Sequence, residues 1–423
     1  MSYFIYNVAL AAAEPLARIW LARHPGHAAL RERFDPPVPP LAGRPVWVHA
    51  CSVGEINTAR PLIRALQARF PGVPVLLTTS TAAGRALADK GVEGAVAAWL
   101  PFDRVRAVRR FIGEARPRAL VILETELWPN LLREARRAGV PVIIANGRIS
   151  PKRLPRYRRW RRVLAPVFRQ VSAVGAQNAA YAALFTELGV APEAVHVTGN
   201  LKFDAVRAEV DPRTLLELRL ACGFGPDTPI LLFGSTRPGD ETLAADCWRA
   251  LAQEFPQWRL VVAPRHLQRV DEAVEAFGRE ACVLRTETLK PGRRAETRVL
   301  VLDTLGELGV FYGLAEVAVI GGSFYPGVDG HNPLESAALG VATVYGPYMG
   351  NFPEASEALL ESGGAVQVAG PGGLEGTVRR LMTDAHERRA LGTRGRRAVV
   401  SRQGASEASV ALVCALLGGG GGT

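Results

Sequence analysis

Three short segments of the chain place a glutamate three residues after a serine, threonine or asparagine, at residues 52–55, 304–307 and 332–335. A carboxylate so placed could take a proton from a substrate hydroxyl, as a general base does. The same spacing is the capping box, in which two side chains satisfy backbone N–H groups at a helix start. Ligands of open α/β sheets bind where strands end and helices begin. Three such turns together therefore indicate a nucleotide site, although each alone could be only a cap.

Charged side chains also follow other apolar runs. Glu124 and Glu126 stand two residues apart, and carboxylates with this spacing leave an extended strand on the same side. The pair could position sugar hydroxyls or orient a second charged group; the alternative is a solvent-facing strand end. Arg265, between Pro264 and His266, offers a guanidinium suited to phosphate or carboxylate, unless it lies in an ordinary surface loop.

Several familiar fingerprints are missing from the sequence. No GxGxxG follows the first apolar run of either half, and no GxxxxGK[ST] occurs, which argues against a dinucleotide oxidoreductase and a P-loop enzyme. The five cysteines show no CxxC spacing, which favours a reducing, cytosolic compartment over a disulfide framework. The candidate nucleotide segments hold neither a DxD pair nor a His/Cys cluster. We therefore predict that no metal is needed.

The elements that must position these turns are predicted as βα units. Short, continuously apolar runs alternate with helical stretches, as in parallel sheets covered on both faces. A chain of 423 residues is also long enough for two cores. We predict an α/β protein with two doubly wound sheets. The predicted strands are residues 46–49, 75–78, 119–123 and 142–145, then 230–233, 260–263, 299–302, 317–320 and 342–344.

The N-terminus is apolar but interrupted by Asn7, Glu14 and Pro15, which is too broken for a spanning helix and unlike a cleaved signal. Its aromatic residues with Arg18, Arg23, Arg31 and Arg33 predict an amphipathic segment on a bilayer; the alternative is a helix packed on its own domain. The predicted divisions are a membrane-associating segment 1–34, domains 35–206 and 207–402, a C-terminal helix 403–417 and a disordered tail 418–423.

The net charge of +11 favours anionic partners, and its densest source is residues 152–162, where seven basic residues, Lys152 among them, surround Tyr157 and Trp160. This mixture suits lipid phosphates, a solvated helix face, or nucleic acid. No recognised nucleic-acid module surrounds it, so nucleic acid is the least favoured partner.

Taken together, these segments resemble the Kdo (3-deoxy-D-manno-octulosonic acid) transferases of lipopolysaccharide biosynthesis, a GT-B glycosyltransferase family. The resemblance covers nearly the whole chain, and the ordered set of motifs is far more specific than any member. Where the family usually has two glycines before the His-Asn pair, this chain has Asp329 and Gly330. The motifs are HACSVGE at 49–55, ETELWPN at 124–130, NGRIS at 146–150, GNLKFD at 199–204, PRH at 264–266 and GHNPLE at 330–335.

The resemblance implies two Rossmann-like domains facing a central cleft. It also implies inverting transfer of Kdo from CMP-Kdo to a lipid A precursor of the lipid IVA type, with release of CMP and without a metal. The acceptor would bind the N-terminal domain and CMP-Kdo the C-terminal one, at the cytoplasmic face of the inner membrane, whose anionic surface the protein would contact as a monotopic or peripheral enzyme. Two alternatives stay open: a UDP-sugar transferase or epimerase, and a non-catalytic binder of anionic surfaces or nucleic acid.

The same resemblance assigns roles to residues. Glu55 would be the general base, and Glu124 a second catalytic carboxylate. The residues expected to bind substrate are Ser52, Gly54, Glu126, Arg148 and Lys202 in the first half, and Ser235, Thr236, Pro264, Arg265, Gly306, Glu307, Leu308, Asn332, Pro333, Leu334 and Glu335 in the second.

Overall fold

The computed structural model of the chain describes residues 3–92, 94–150, 153–289 and 298–418. The chain forms two compact units. Unit 1 comprises the residues up to Ala205 together with those from Arg402 onward, and unit 2 runs from Val206 to Ser401. The C-terminal helix therefore belongs to unit 1, although the residues of unit 2 separate it in sequence from the rest of that unit.

Unit 1 is built on a parallel sheet that has seven strands in its described part, in the order β3-β2-β1-β4-β5-β6-β7. Its central strands are buried apolar runs, as expected for a sheet covered on both faces. Their bounds are β1 Val46–His49, β2 Val75–Thr79, β3 Ala95–Trp99, β4 Ala119–Leu123, β5 Val142–Gly147, β6 Ala173–Ala176 and β7 Val195–Val197.

Helices cover both faces of this sheet. The first is preceded by no strand and is followed by a 3₁₀ turn at Pro25–Phe34. The helices are α1 Tyr3–Arg23, α2 Val53–Arg69, α3 Ala82–Asp89, α4 Val105–Ala115, α5 Pro129–Arg137, α6 Leu154–Arg159, α7 Arg161–Phe168, α8 Ala179–Leu188 and α9 Leu201–Asp204.

Unit 2 repeats the design with a second parallel sheet, seven-stranded over its described residues, in the order β10-β11-β9-β8-β12-β13-β14. The strands are β8 Ile230–Thr236, β9 Arg259–Pro264, β10 Cys282–Leu284, β11 Val299–Val301, β12 Val317–Ile320, β13 Ala342–Tyr345 and β14 Ala365–Gln367. The helices are α10 Pro212–Ala221, α11 Asp240–Leu251, α12 Val270–Phe277, α13 Arg285–Thr288, α14 Leu308–Tyr312, α15 Leu334–Ala338, α16 Pro353–Glu361, α17 Leu374–Thr383 and α18 Ala385–Val400.

The last helix, α19 (Ala405–Gly418), packs on α2 and shares the apolar core of unit 1 through Val410 and Val413. Asp204 caps it, because its carboxylate accepts the N–H groups of Gly404 and Ser406 at 2.8 and 2.6 Å. Residue 418, expected in a disordered tail, is the last residue of this helix. Positions 419–423 of that expected tail lie outside the described residues, as does Lys152 of the basic segment.

The predicted class, α/β with two doubly wound sheets, is confirmed. All nine predicted strands exist. The structure adds β3, β6, β7, β10 and β14. Four of the added strands have only three or four residues, and β3 is partly exposed, with Val96 on the surface.

Helix α1 presents an unusual surface. Of its 21 residues, the structure buries only Leu21, while Phe4, Ile5 and Leu16 are 75%, 66% and 70% exposed. Its partly buried positions recur every three or four residues and carry Tyr6 and other polar groups. Over the described chain, no helix has the length and apolar character needed to cross a bilayer.

Candidate functional site

The order of strands in unit 1 reverses direction between β1 and β4, which is where open α/β sheets bind ligands, beyond the carboxyl ends of the strands. The segment after β1 carries Glu55, and the segment after β4 carries Glu124 and Glu126. All three carboxylates line one recess of about 380 Å³. We call it the acidic recess; its lining is Cys51, Glu55, Glu124, Thr125, Glu126, Arg148, Ile149, Ser150, Arg153 and Tyr157.

Glu55 is both a helix cap and a wall of the recess. Ser52 is the N-cap of α2 and accepts the N–H of Glu55 at 3.4 Å, while the Glu55 carboxylate accepts the Cys51 N–H at 2.8 Å. Burial raises the pKa of Glu55 to about 7, against the hydrogen bond from Cys51 and with support from the charges of Glu124 and Glu126. A carboxylate with this pKa exchanges protons near neutral pH, as a general base must.

Glu124 is held by an ion pair at the first residue after β4. Its Oε2 lies 2.8 Å from Nε of Arg148, which follows β5. The backbone of Glu124 is not the extended strand that the sequence suggested, because its φ is +58°. A non-glycine residue in this left-handed region is strained, and such residues cluster at functional sites. The turn nevertheless leaves Glu124 and Glu126 in the same recess.

Glu126 is a half-buried carboxylate that two arginines influence through their charges. Burial raises its pKa, while the neighbouring Trp128 indole and the charges of Arg153 and Arg33 lower it. Arg33 was expected at a bilayer surface, but the structure buries it, with its guanidinium donating to the carbonyls of Leu100 and Ser80. Its place inside the fold explains why a basic pattern alone misassigned it.

The recess also contains residues that the sequence did not single out as a site. Arg153 and Tyr157, from the segment at the start of α6, form one wall, and both were assigned only to a general basic run. Cys51 and Thr125 line it too, and burial raises the pKa of the Cys51 thiol. The sequence signal for Arg153 is its position three residues after the NGRIS motif.

Other motif residues of unit 1 support the fold. Asn146 is buried with φ +56°, and its side-chain oxygen accepts the N–H of Leu201 at 3.0 Å. Asn200 caps α9 by accepting the Lys202 N–H. Lys202, Ser52 and Gly54, expected to bind substrate, are not among the described residues that line the acidic recess. Ser52 and Gly54 belong instead to the start of α2.

Unit 2 has its own reversal of strand order, between β8 and β12. Asp240 joins the two loops there, because its Oδ2 accepts the N–H groups of Arg237 at 2.9 Å and Gly322 at 2.6 Å. Ser235 has φ +57° and is half-buried. Thr236 was expected to bind substrate, but its side chain is fully buried and its hydroxyl donates to Glu241. Its side chain is therefore not accessible to a ligand in this structure.

Basic side chains gather at this edge of the second sheet, and we call Arg237, Arg265, His266 and His331 the basic cluster. Arg237 contacts Nε2 of His266 through its guanidinium. Burial lowers the pKa of His331 to about 4, with the charges of Arg265 and Arg237 adding to the effect. The pKa of His266 is also lowered, by lost hydration and the same arginines. The His331 imidazole is therefore neutral at pH 7, and the arginines carry the charge of the cluster.

The second of the three glutamate turns is braced internally. Glu307 receives hydrogen bonds from buried Arg285, at 2.9 Å for the shortest, and contacts the Thr304 hydroxyl. Although burial opposes it, these bonds lower the pKa of Glu307. Gly306 is exposed with φ +88°, and Leu308 begins α14, a helix of five residues. Gly306 therefore presents backbone, whereas the Glu307 carboxylate is already paired.

The third turn lies beside the basic cluster. Asn332 Oδ1 accepts the Leu334 N–H at 3.1 Å, and its Nδ2 donates to Glu335 at 3.2 Å. Burial raises the pKa of Glu335, against its bond from Asn332 and the charge of Arg265. Pro333 and Leu334 are buried, as is Pro264 at the end of β9. A ligand could reach these apolar residues only through their backbone.

No group of three or more His, Cys, Asp or Glu side chains in the described parts of the chain is arranged to hold a metal ion. The charges that could meet an anionic ligand in unit 2 are guanidinium groups.

Sequence comparison agrees with these motifs. Residues 28–205 match the family described as 3-deoxy-D-manno-octulosonic-acid transferase (kdotransferase). The 3-deoxy-D-manno-octulosonic acid transferase of Bordetella pertussis is 34% identical over 384 residues, covering 86% of this chain and 87% of that protein. The transferase of the same name from Haemophilus influenzae is 31% identical over 370 residues, covering 87% and 85%.

Among solved structures, a glycosyltransferase from Rickettsia africae aligns with a TM-score of 0.57 at 10% identity, covering 89% of this chain and 99% of that one. At this identity the likeness concerns the fold alone. Together with the two doubly wound sheets, it confirms the predicted GT-B class.

Proposed function

Because the chain belongs to the Kdo transferase family and is therefore a glycosyltransferase of lipopolysaccharide biosynthesis, we propose that it transfers Kdo from CMP-Kdo to a lipid A precursor with inversion, using Glu55 as the base. The observation that carries this proposal is the acidic recess, in which a half-buried glutamate with a pKa of about 7 stands beside two further carboxylates.

In the proposed step, Glu55 takes the proton from an acceptor hydroxyl as the oxygen attacks the anomeric carbon of Kdo. The bond from that carbon to the CMP phosphate oxygen breaks, and its electron pair leaves with the phosphate. Glu124, fixed by Arg148, and Glu126 would accept hydrogen bonds from the acceptor sugar. Their charges also keep the pKa of Glu55 high, so the base is strong enough to help the hydroxyl at neutral pH.

The basic cluster suits the sugar donor, since CMP-Kdo carries both a phosphate and a carboxylate. Arg265 is exposed beside the Asn332 turn, and guanidinium groups bind both kinds of anion in a bidentate manner. These arginines would also stabilise the charge that develops on the departing phosphate. We therefore propose that transfer needs no metal; a chelator that abolished the activity of the purified enzyme would contradict this.

Helix α1 supports an association with the cytoplasmic face of the inner membrane. Its outward face carries Phe4, Ile5, Val8, Leu16 and Ile19, each at least half exposed. Burying one such side chain fully contributes about 1.5–3 kcal/mol, so several of them together could hold the protein on a bilayer. The exposed arginines of residues 153–162 around Trp160 would meet lipid phosphates, including those of the acceptor.

The direct test is mass spectrometry of a reaction that contains the purified protein, CMP-Kdo and tetraacylated lipid A precursor in detergent micelles. We expect each transferred sugar to add one Kdo mass step, with CMP appearing in equal amount. A parallel reaction with UDP-N-acetylglucosamine separates this function from that of a UDP-sugar enzyme. Turnover of the UDP-sugar with no Kdo product would replace the proposal with that alternative.

A further inference from the structure

Helix α1 contacts the rest of unit 1 through polar side chains and exposes apolar ones, whereas an ordinary surface helix turns its apolar face inward. The Tyr6 hydroxyl donates to Oδ2 of Asp103 at 2.8 Å. Asn7 and Asn130 exchange two hydrogen bonds: the Asn7 amide donates to Asn130 at 3.2 Å, and the Asn130 amide donates back at 2.7 Å. A helix that served only as a membrane anchor would not need a matched set of side-chain bonds to residues about 100 positions away.

The partners of these bonds fix the start of α5. Asp103 and Asn130 are buried at 4% and 0% exposure. The Asp103 carboxylate accepts the N–H groups of Asn130 at 2.9 Å and Leu131 at 2.8 Å, and the Asn130 amide also donates to the Asp103 carbonyl at 2.6 Å. Helix starts leave such N–H groups unpaired, and Trp128, the N-cap residue of α5, supplies no side-chain bond. Asp103 therefore caps α5 from a distant segment.

Helix α5 begins where the loop of the acidic recess ends. Glu124, Thr125 and Glu126 line the recess, and Trp128 is only two residues beyond Glu126. The buried guanidinium of Arg33, which follows α1 in the chain, lies 5.7 Å from the centre of the Trp128 ring. The N-terminal segment thus contacts this loop at its helical end in two places.

We propose that α1 is a positioning element for the acidic recess as well as a surface helix, and that Asp103, held by Tyr6, is the positioning residue that sets the Glu124–Glu126 loop, together with Asn130, which Asn7 holds. The catalytic consequence rests on the proposed function. The structural consequence, an ordered start of α5, does not.

The two roles of α1 predict different kinetics. Loss of an anchor alone changes access to acceptor in a bilayer and leaves turnover in detergent micelles unchanged. Loss of the positioning bonds lowers kcat in micelles, because small displacements of catalytic groups are costly. The KM for CMP-Kdo stays unchanged, since the bonds lie in unit 1.

The experiment combines Tyr6→Phe with Asn7→Ala, which removes the inward bonds and retains the outward apolar face. The matched control is Ala12→Ser, an exposed position of the same helix. In micelles we expect kcat of the double variant to fall between about 10- and 100-fold, with no change in the control. Amide hydrogen exchange at Asn130, Leu131 and the 124–128 loop should become faster in the double variant only.

Wild-type kcat in the double variant, with unchanged exchange at Asn130 and Leu131, would overturn the proposal. If the wild-type protein makes no Kdo product, the proposed function fails, and the exchange measurement still decides whether α1 orders this loop. If the double variant does not fold, Tyr6→Phe alone gives the same comparison, because it removes a single hydroxyl.

Discussion

Unit 1 and unit 2 share one architecture and gather opposite charges at the same place. Both sheets reverse their strand order beside their first strand, and both have polar loops at that edge. In unit 1 the loops bring together three carboxylates, and burial raises the pKa of Glu55. In unit 2 they bring together two arginines and two histidines, and the pKa of His331 falls. The topology therefore sets where a ligand binds, and the loop residues decide its charge.

The three glutamate turns show the same lesson in smaller form. Glu55 accepts the Cys51 N–H just before α2 and still lines a recess. The Glu307 carboxylate is paired with Arg285, and the Glu335 carboxylate accepts a hydrogen bond from Asn332. The same sequence spacing therefore places a candidate base at Glu55, an ion-paired carboxylate at Glu307 and a carboxylate that supports its loop at Glu335. What separates them is the surroundings: only Glu55 has other carboxylates beside it.

The largest effect is expected from a substitution of Glu55 in the acidic recess of unit 1. Glu55→Gln should lower kcat by about 10²–10⁴-fold, because the amide cannot accept the proton of the acceptor. The affinity for CMP-Kdo, measured by isothermal titration, should stay within twofold, because the basic cluster is unchanged. Since Glu55 also braces the turn before α2 through the Cys51 N–H, the melting temperature must be measured, and a folded variant with near-normal turnover would remove Glu55 as the base.

The next largest effect is expected from a substitution of Arg265 in the basic cluster of unit 2. Arg265→Ala removes hydrogen bonds from a guanidinium to an anion, worth about 1.5–3 kcal/mol, so the Kd for CMP-Kdo should rise roughly 10- to 100-fold. The pH dependence of turnover should not move. Arg249→Ala is the matched control, because Arg249 is an exposed arginine of unit 2 paired with its neighbour Asp246. Equal donor affinity in the two variants would place the CMP-Kdo site elsewhere.

The sequence predicted both sheets and the charged residues that meet in the acidic recess, Glu55, Glu124, Glu126 and Arg148, but it missed other residues of the site for a physical reason. Strands such as β1 and β4 are continuous apolar runs, so their burial is visible in the residue pattern. Arg153 lines the recess and Arg33 is buried because of how segments distant in sequence pack together. A local sequence pattern does not show such packing. Asp103 was not singled out at all, since it caps a helix that starts 26 residues later.

A smaller effect should appear in the acid limb of the pH profile. Glu55 must be ionised to act, so kcat/KM should rise with pH through the Glu55 pKa of about 7. Glu126→Gln removes one of the charges that raise this pKa, so the limb should move to lower pH, by several tenths to about one unit. Burial is the larger cause and remains, which keeps the limb well above pH 4.5. A limb that moved upward would contradict the electrostatic account.

The smallest effect concerns backbone strain, which both units carry at their binding edges. Asp329 has φ +61° next to Gly330 at +77°, so two adjacent residues lie in the left-handed region. Asp329→Gly relieves left-handed strain but gives the unfolded chain more freedom, so the free energy of unfolding should change by less than about 1 kcal/mol. Asp329→Val should cost about 1–2 kcal/mol, because a β-branched residue resists this conformation.

Thermal unfolding and CMP-Kdo titration of both Asp329 variants distinguish strain from ligand contact. If the aspartate serves only the backbone, the glycine variant should bind the donor as the wild type does. The Asp329 side chain lies against Gly350, where an added Cβ would sit 3.2 Å from its Cγ, so it packs on the loop that follows β13. A donor affinity lowered tenfold in Asp329→Gly, with unchanged stability, would mean that the carboxylate itself takes part in shaping the basic side of the molecule.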